Sequence, residues 1–201
     1  MMALAQELRV PDYIKGLIFD CDGTLVDSMP LHMLAWEHAV TSQGGLWDYS
    51  YFYSKKGMPD KEIIGLYNSQ FGTELDFRRT TQLKDEYFRS RADRLRPIQP
   101  VIDVVVRYAG ILPMAVASGS TRSNVEFQLS AVGVRNYFEF IVSADDGIPP
   151  KPSPALFLEA ARRIGVEPQA CQVFEDADLG LEAAARAGML ATDIRHLGEQ
   201  S

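Results

Sequence analysis

Five short apolar segments alternate with helical patterns along this chain, and the alternation constrains its fold more than any other feature. The apolar segments, rich in β-branched and aromatic residues, are 14–19, 112–117, 138–143, 171–174 and 190–194. Helical patterns lie near 101–109, 122–132, 154–164 and 178–187. Strands that alternate with helices need crossover connections, which build a parallel sheet with helices on both faces. We therefore predict an α/β protein with a parallel central sheet.

The first two strands are separated by residues 20–111, far more chain than a crossover requires. This stretch contains amphipathic patterns at 31–40, 60–71 and about 77–95. Structureless loops of such length are uncommon inside compact domains. We therefore predict a small all-α insertion, or cap, over 28–96, and a Rossmann-like α/β core formed by 1–27 and 97–201.

Composition narrows the class of partner. The net charge of −7 argues against a nucleic acid or an anionic membrane as partner. No segment reaches the roughly 18 apolar residues of a membrane span, and Glu7 and Arg9 interrupt the N-terminal stretch, so we expect no secretory signal. Cys21 and Cys171 would lie at opposite ends of parallel strands, too far apart to form a disulfide. We expect a cytoplasmic protein with reduced thiols, and take a monomer as the default state.

Asp20 and Asp22 directly follow the first apolar segment, with Gly23 and Thr24 in position to form a turn. One carboxylate of such a pair can attack as a nucleophile while the other transfers a proton. Taken alone, the same four residues also fit a capped turn or an incomplete calcium loop.

Three further segments with polar side chains follow other strands. Ser118, Gly119 and Ser120 precede a helix, where hydroxyl and N–H groups suit a phosphate oxygen, although an ordinary helix cap is the simpler explanation. Lys151 stands in a proline-rich turn and could reach an anion, although most lysines are solvated. Glu175 and Asp176 could bind Mg²⁺ through oxygen, whereas Asp178 is expected to cap the following helix.

These segments all follow the carboxyl ends of predicted parallel strands, which is where ligands bind in open α/β sheets. Separate structural explanations would require four independent coincidences at one edge of one sheet. We therefore expect the four segments to form a single site.

The segments FDCDGTLVDS, ASGS, KPSP and FEDADLGLEAAARAGM, in this order, resemble motifs of the haloacid dehalogenase superfamily, and in particular its branch of small sugar-phosphate phosphatases and mutases. The resemblance covers about 14–195. It implies a Rossmann-like core with an inserted helical cap, in agreement with the periodicity.

The resemblance also implies residue roles. Asp20 would be the nucleophile that forms an aspartyl-phosphate, and Asp22 the general acid/base. Ser118 and Lys151 would hold the phosphate, with Gly119 and Ser120 beside it. Mg²⁺ would be bound by Asp20, the backbone carbonyl of Asp22 and Asp176, with Glu175 close by. In the cap, His32 and Lys56 are candidate substrate contacts, although a half-buried helix histidine and a solvated lysine are equally good interpretations.

Two positions discriminate within the family. True dehalogenases lack the second aspartate, so Asp22 favours phosphoryl transfer, because an alkoxide leaving group needs a proton. In β-phosphoglucomutases the resemblance implies an arginine after the cap loop, where this chain has Asp60. A carboxylate there would repel a second phosphate. The cap loop instead resembles that of small hexose-phosphate phosphatases, such as fructose-1-phosphate phosphatases.

The predicted function is therefore Mg²⁺-dependent hydrolysis of a small phosphorylated metabolite, of the sugar-phosphate class. Two alternatives stay open: a β-phosphoglucomutase-like isomerase, and a non-catalytic binding protein on the same scaffold. The intact set of reactive residues argues against the second.

Overall fold

A parallel five-stranded sheet forms the centre of the fold, as predicted. The computed structural model describes residues 8–56 and 58–197. The strands are β1 (Gly16–Phe19), β2 (Val26–Asp27), β3 (Arg96–Pro97), β4 (Met114–Ala117), β5 (Phe140–Val142), β6 (Cys171–Glu175) and β7 (Leu190–Asp193). The main sheet has the order β5-β4-β1-β6-β7, and β2 and β3 form a separate antiparallel ribbon. The predicted α/β fold class is confirmed.

The strand order places a crevice beside β1. From β1 the chain builds the sheet outward to β4 and β5, and then returns to the other side of β1 to add β6 and β7. The connections on the two sides of β1 therefore lead in opposite directions. Such a reversal leaves a crevice at the carboxyl ends of the central strands, which is where ligands bind in this class of sheet.

Helices surround the sheet and also form a second unit. They are α1 (Met29–Thr41), α2 (Tyr49–Ser54), α3 (Asp60–Phe71), α4 (Phe77–Arg89), α5 (Gln99–Tyr108), α6 (Arg122–Ala131), α7 (Ala155–Ile164) and α8 (Asp178–Arg186). Every residue of β1 and β4 is buried, so both faces of the sheet are covered. Leu156 and Phe157 of α7 and Ala183 of α8 belong to one core cluster with Ile18.

The chain divides into two compact units, Met1–Asp27 with Arg96–Ser201, and Ser28–Leu95. The second unit contains α1 to α4 around a largely aromatic core that includes Trp36, Phe52 and Tyr67. The buried tyrosines are bonded through their hydroxyl groups: Tyr51 donates to the carbonyl of Ile63 at 2.9 Å, and Tyr67 donates to that of Leu46 at 2.6 Å. This unit thus has a core of its own.

The structure differs from the sequence-based elements in three places. The short helix α2 was not predicted; Asp48 caps it by accepting from the N–H of Tyr51 at 2.9 Å. The third insertion helix ends at Arg89 and not near 95, because Ser90 turns its hydroxyl back to the carbonyl of Tyr87, and a separate 3-10 turn follows. The two-residue ribbon of β2 and β3 was also missed.

The expectation of no secretory signal at the N-terminus and the resemblance of the cap loop both involve residues that the structure does not describe. The N-terminal stretch 1–7 and Gly57 of the cap loop fall outside the described ranges. Across 8–56 and 58–197, no helix combines the length and apolar character needed to cross a membrane.

Cys21 and Cys171 are both buried, and they do not form a disulfide with one another.

Candidate active site

Three neighbouring strands deliver the predicted site residues to one edge of the sheet. In the register of the sheet Phe19 pairs with Val116 of β4 and with Phe174 of β6. The residues that follow, Asp20 on one strand and Ser118 and Asp176 near the ends of its two neighbours, therefore leave the sheet together. Parallel strands with matched ends account for this convergence.

Lys151 links two of these strand ends. Its Nζ lies 2.7 Å from Oδ1 of Asp20 and 2.6 Å from Oε2 of Glu175. The exposed fractions of the three side chains are 11% for the lysine, 8% for Asp20 and 1% for Glu175. Burial disfavours the charged form of Lys151, but the two carboxylates outweigh burial and raise the pKa of the lysine. Lys151 is therefore a buried cation fixed between two acids.

The acidic side chains form a cluster suited to a divalent cation. Asp20, Glu175 and Asp176 each offer a carboxylate oxygen, and these oxygens lie within 4.8 Å of one another. Burial, and after it the charge of Glu175, raises the pKa of Asp20 well above its usual value, although Lys151 acts in the opposite direction. One lysine thus does not offset three carboxylates. A hard cation such as Mg²⁺, which prefers oxygen ligands, fits both the donor set and the missing positive charge.

Neighbouring groups hold the cluster in place. The hydroxyl of Thr24 donates to Oδ1 of Asp176 at 3.2 Å, and the N–H of Ala177 donates to Oε1 of Glu175 at 3.0 Å. Both oxygens of Glu175 are therefore already bonded, one to Lys151 and one to the backbone.

Two glycines let the backbone approach these carboxylates. Gly23 has a φ of +83°, which an L side chain rarely adopts, and a Cβ there would lie 2.5 Å from Oδ2 of Asp176. A Cβ on Gly180 of α8 would overlap the carboxyl group of Glu175. Neither position has room for a side chain.

Asp22 lies outside the cluster, with a different set of partners. Ser120 donates its hydroxyl to Oδ2 of Asp22 at 2.7 Å, and Gln128 donates Nε2 to Oδ1 at 2.9 Å. The sequence analysis missed Gln128. The signal was present as a polar residue among Val125 and Leu129 on the buried face of α6.

The segment after β4 is held by its own hydrogen bonds. Ser118 is buried, and its Oγ accepts from the N–H of Ser120 at 3.1 Å. Gly119 is exposed, with nothing within 4 Å of an added Cβ. Thr121 occupies the N-cap position of α6, but its side chain makes no capping bond to the backbone of the helix. The simple helix-cap explanation of this segment therefore does not hold.

The acidic segment after β6 needs one correction. Asp178 was expected to cap α8, but Ala177 occupies the N-cap and no side chain bonds there. Asp178 is the first residue of the helix, and its Oδ1 instead accepts from Arg195 at 2.7 Å.

The predicted cap residues lie in the unit Ser28–Leu95. The ring of His32 stacks on Phe88 with centroids 4.3 Å apart, and Nζ of Lys56 lies 5.7 Å from the ring centroid of Tyr53. Their contact with substrate stays a prediction. Asp60, expected to repel a second phosphate, accepts a 2.6 Å ion pair from Lys84, so a neighbouring cation compensates its charge.

The chain matches the family model described as haloacid dehalogenase-like hydrolase over residues 14–188. A curated relative, the fructose-1-phosphate phosphatase YqaB of Escherichia coli strain K12, is 40% identical over 183 residues, which cover 90% of this chain and 97% of that protein.

Solved structures agree with the sequence match. CbbY from Rhodobacter sphaeroides, in complex with xylulose-(1,5)bisphosphate, has a TM-score of 0.78 and 26% identity, covering 89% of this chain and 84% of that one. β-Phosphoglucomutase from Clostridium difficile has a TM-score of 0.76 and 26% identity, covering 90% of this chain and 84% of that one.

Proposed function

We propose that this chain, which belongs to the haloacid dehalogenase-like hydrolases, is a phosphatase that hydrolyses a small phosphorylated metabolite of the sugar-phosphate class. The observation that carries the proposal is the Lys151 bridge, which joins Asp20 to Glu175 within the acidic cluster at the carboxyl ends of the strands. The 40% identity to a fructose-1-phosphate phosphatase supports the substrate class.

The first half of the proposed reaction is attack by Asp20. Its free carboxylate oxygen forms a bond to phosphorus while the bond from phosphorus to the ester oxygen breaks, which leaves an aspartyl-phosphate on Asp20. Asp22 donates a proton to the departing alkoxide. Lys151 restrains the nucleophile through its bond to Oδ1 of Asp20 and offsets negative charge.

The second half regenerates the enzyme. Asp22, now a carboxylate, accepts a proton from water as the water oxygen attacks phosphorus, and the bond between phosphorus and Asp20 breaks. Inorganic phosphate and the original protonation state of Asp22 result. Ser118, Gly119 and Ser120 are proposed to hold phosphate oxygens during both halves.

The residues that would hold Mg²⁺ are Asp20, Asp176 and the backbone carbonyl of Asp22. Glu175 would support the site indirectly, because both of its oxygens already accept from Lys151 and Ala177. When bound, Mg²⁺ supplies charge stabilisation for the transferred phosphoryl group.

The unit Ser28–Leu95 is proposed to act as the cap, with His32 and Lys56 as its candidates for substrate contact. Closure of a cap excludes water during the first half of the reaction.

A mutase is the second candidate, since a solved β-phosphoglucomutase has the same fold at 26% identity. That reaction requires a second phosphate to be gripped. Asp60 offers no cation for this purpose, and Lys84 is already committed to Asp60. We therefore favour net hydrolysis.

The test is a panel of phosphorylated sugars, sugar acids and polyols assayed for phosphate release with Mg²⁺ present. Hydrolysis of at least one sugar phosphate is expected. A parallel assay supplies glucose 1-phosphate with glucose 1,6-bisphosphate and measures glucose 6-phosphate. Isomerisation that exceeds phosphate release would replace the phosphatase by a mutase, and no turnover in either assay would leave a binding protein.

A further inference from the structure

The partner of Asp22 on helix α6 is a buried glutamine whose other end is unsatisfied. Gln128 has no exposed surface, and its Nε2 donates to Oδ1 of Asp22. Within the described residues no donor lies within hydrogen-bond distance of its Oε1. A buried carbonyl oxygen without a donor costs on the order of 1–3 kcal/mol.

An apolar residue would serve the fold better at this position. The buried face of α6 also carries Val125, Leu129 and one further polar residue, Asn124, so an aliphatic side chain at 128 would extend the apolar part of this face without stranding a polar atom. The amide is retained against this disadvantage, and its one described bond is to Asp22. We therefore expect the role of the Gln128 side chain to be its bond to the Asp22 carboxylate.

Two donors fix the orientation of Asp22. Ser120 donates to Oδ2 and Gln128 to Oδ1, so the plane of the carboxylate is set from both ends. The two donors differ in whether the oxygen that they contact can carry a proton. A serine hydroxyl can also accept, so it stays bonded whether Oδ2 carries a proton or not, whereas an amide N–H only donates and keeps a proton away from Oδ1.

We propose that Gln128 is a positioning residue that holds the carboxyl group of Asp22 in one orientation and reserves Oδ2 as the oxygen that gives and takes the proton. The inference rests on the proposed function, since it deepens the role given there to Asp22. In the first half of the reaction the proton moves from Oδ2 to the alkoxide, and in the second half it moves from water to Oδ2. Gln128 touches neither substrate nor the reacting atoms.

The dependence of the reaction rate on the leaving group distinguishes a positioning role of Gln128 from a purely structural role. A sugar alkoxide needs the proton of Asp22, whereas p-nitrophenolate leaves without one. The quantity to compare is kcat/KM, because it covers the steps up to leaving-group departure and excludes the later attack of water. The ratio of kcat/KM for the sugar phosphate to that for p-nitrophenyl phosphate therefore reports the positioning of the acid.

The variant is Gln128→Leu, which removes the donor and fills the same space. We expect its kcat/KM on the sugar phosphate to fall about 10- to 100-fold, with that on p-nitrophenyl phosphate changed by no more than about threefold. Gln128→Met keeps the length and flexibility of the side chain and carries the same test. Circular dichroism and thermal unfolding verify the fold of each variant.

Gln172 offers a matched control. It is a buried glutamine on β6 whose Oε1 also has no described donor, but its Nε2 donates to Thr192 and to the carbonyl of Arg9. Gln172→Leu is expected to leave the ratio of the two kcat/KM values unchanged.

The outcomes are distinct. A fall confined to the sugar phosphate supports the inference. Equal losses on both substrates, or no loss on either, overturn it while the proposed function stands. Wild-type protein that hydrolyses neither substrate overturns both.

Discussion

The ammonium group of Lys151 lies 2.7 Å from Oδ1 of Asp20, although 131 positions separate the two residues in the chain. The same ammonium reaches Glu175 at 2.6 Å. Three segments that are distant in the chain are thereby joined through one buried cation.

Replacing Asp20, the proposed nucleophile, should abolish turnover without unfolding the protein. Asp20→Asn keeps the size of the side chain but removes the attacking oxygen anion, so we expect kcat to fall by on the order of 1,000-fold or more. Phosphate release measures the loss, and circular dichroism verifies the fold. Hydrolysis at a near-normal rate in this variant would refute the assignment of the nucleophile.

A divalent cation should stabilise the folded protein through the acidic cluster. After treatment with EDTA, addition of Mg²⁺ at about 100 times its Kd should raise the free energy of unfolding by about 2.7 kcal/mol, or Tm by roughly 5–10 °C. Asp176→Asn should remove most of this shift. The exposed Asp103 provides the control, since Asp103→Asn should keep it. Equal shifts in both variants would place the metal elsewhere.

Removing the bridging cation should destabilise the metal-free protein. Lys151→Met leaves Asp20 and Glu175 buried without their common partner, which costs about 3–5 kcal/mol in the free energy of unfolding. Urea denaturation measures the change, and Lys15→Met, at an exposed lysine, serves as the control. Adding Asp20→Asn to the Lys151→Met protein should recover part of the loss. Purely additive effects of the two substitutions would contradict the bridge.

Acid should weaken the core unit through Asp146. Burial acts against its charged form, but hydrogen bonds from Arg163 and Ser143 prevail and lower the pKa of Asp146 to about 2. A carboxyl group with a lowered pKa in the folded state adds stability above its unfolded pKa, and that stability is lost as the pH falls from about 4 to about 2. The contribution is roughly 2 kcal/mol near neutral pH.

The comparison is between wild type and Asp146→Asn, each unfolded by urea at several pH values. The two proteins should differ most near pH 6 and approach one another near pH 2. Asp103→Asn should follow the wild-type curve throughout. A difference that does not change with pH would show that Asp146 acts through packing and not through its charge.

Much of the architecture follows from periodicity alone. The five strands occur where the apolar segments are, and α3 occurs at 60–71 as predicted, because long amphipathic or wholly buried segments have few alternative structures. The short helix α2 was not predicted because its six residues are mostly aromatic and have no strong helical preference. Its cap at Asp48 and its packing against Tyr67 and Trp36 depend on the tertiary structure.

In the candidate site, too, some residues could be recognised from the local sequence and others depend on tertiary packing. The strand-end acids and Lys151, which the structure brings together, could be selected from the sequence because each stands directly beside a recognisable element. Gln128 was missed because its partner lies 106 positions away, and the compensation of Asp60 by Lys84 was missed because it joins two helices. Pairings of this kind arise from packing in the folded protein, and the local sequence gives only a weak sign of them, such as the polar residues Asn124 and Gln128 on the buried face of α6.

An added Cβ at Gly23 or Gly180 would collide with the acids of the cluster, whereas one at Gly119 would face open space. Substitutions are therefore restricted unequally among these glycines. Positions 23 and 180 have no room for a side chain, whereas position 119 can accept side chains of many sizes. Redesign has its freest starting point at 119, because a side chain added there meets no neighbouring atom within 4 Å and leaves the acids where they are.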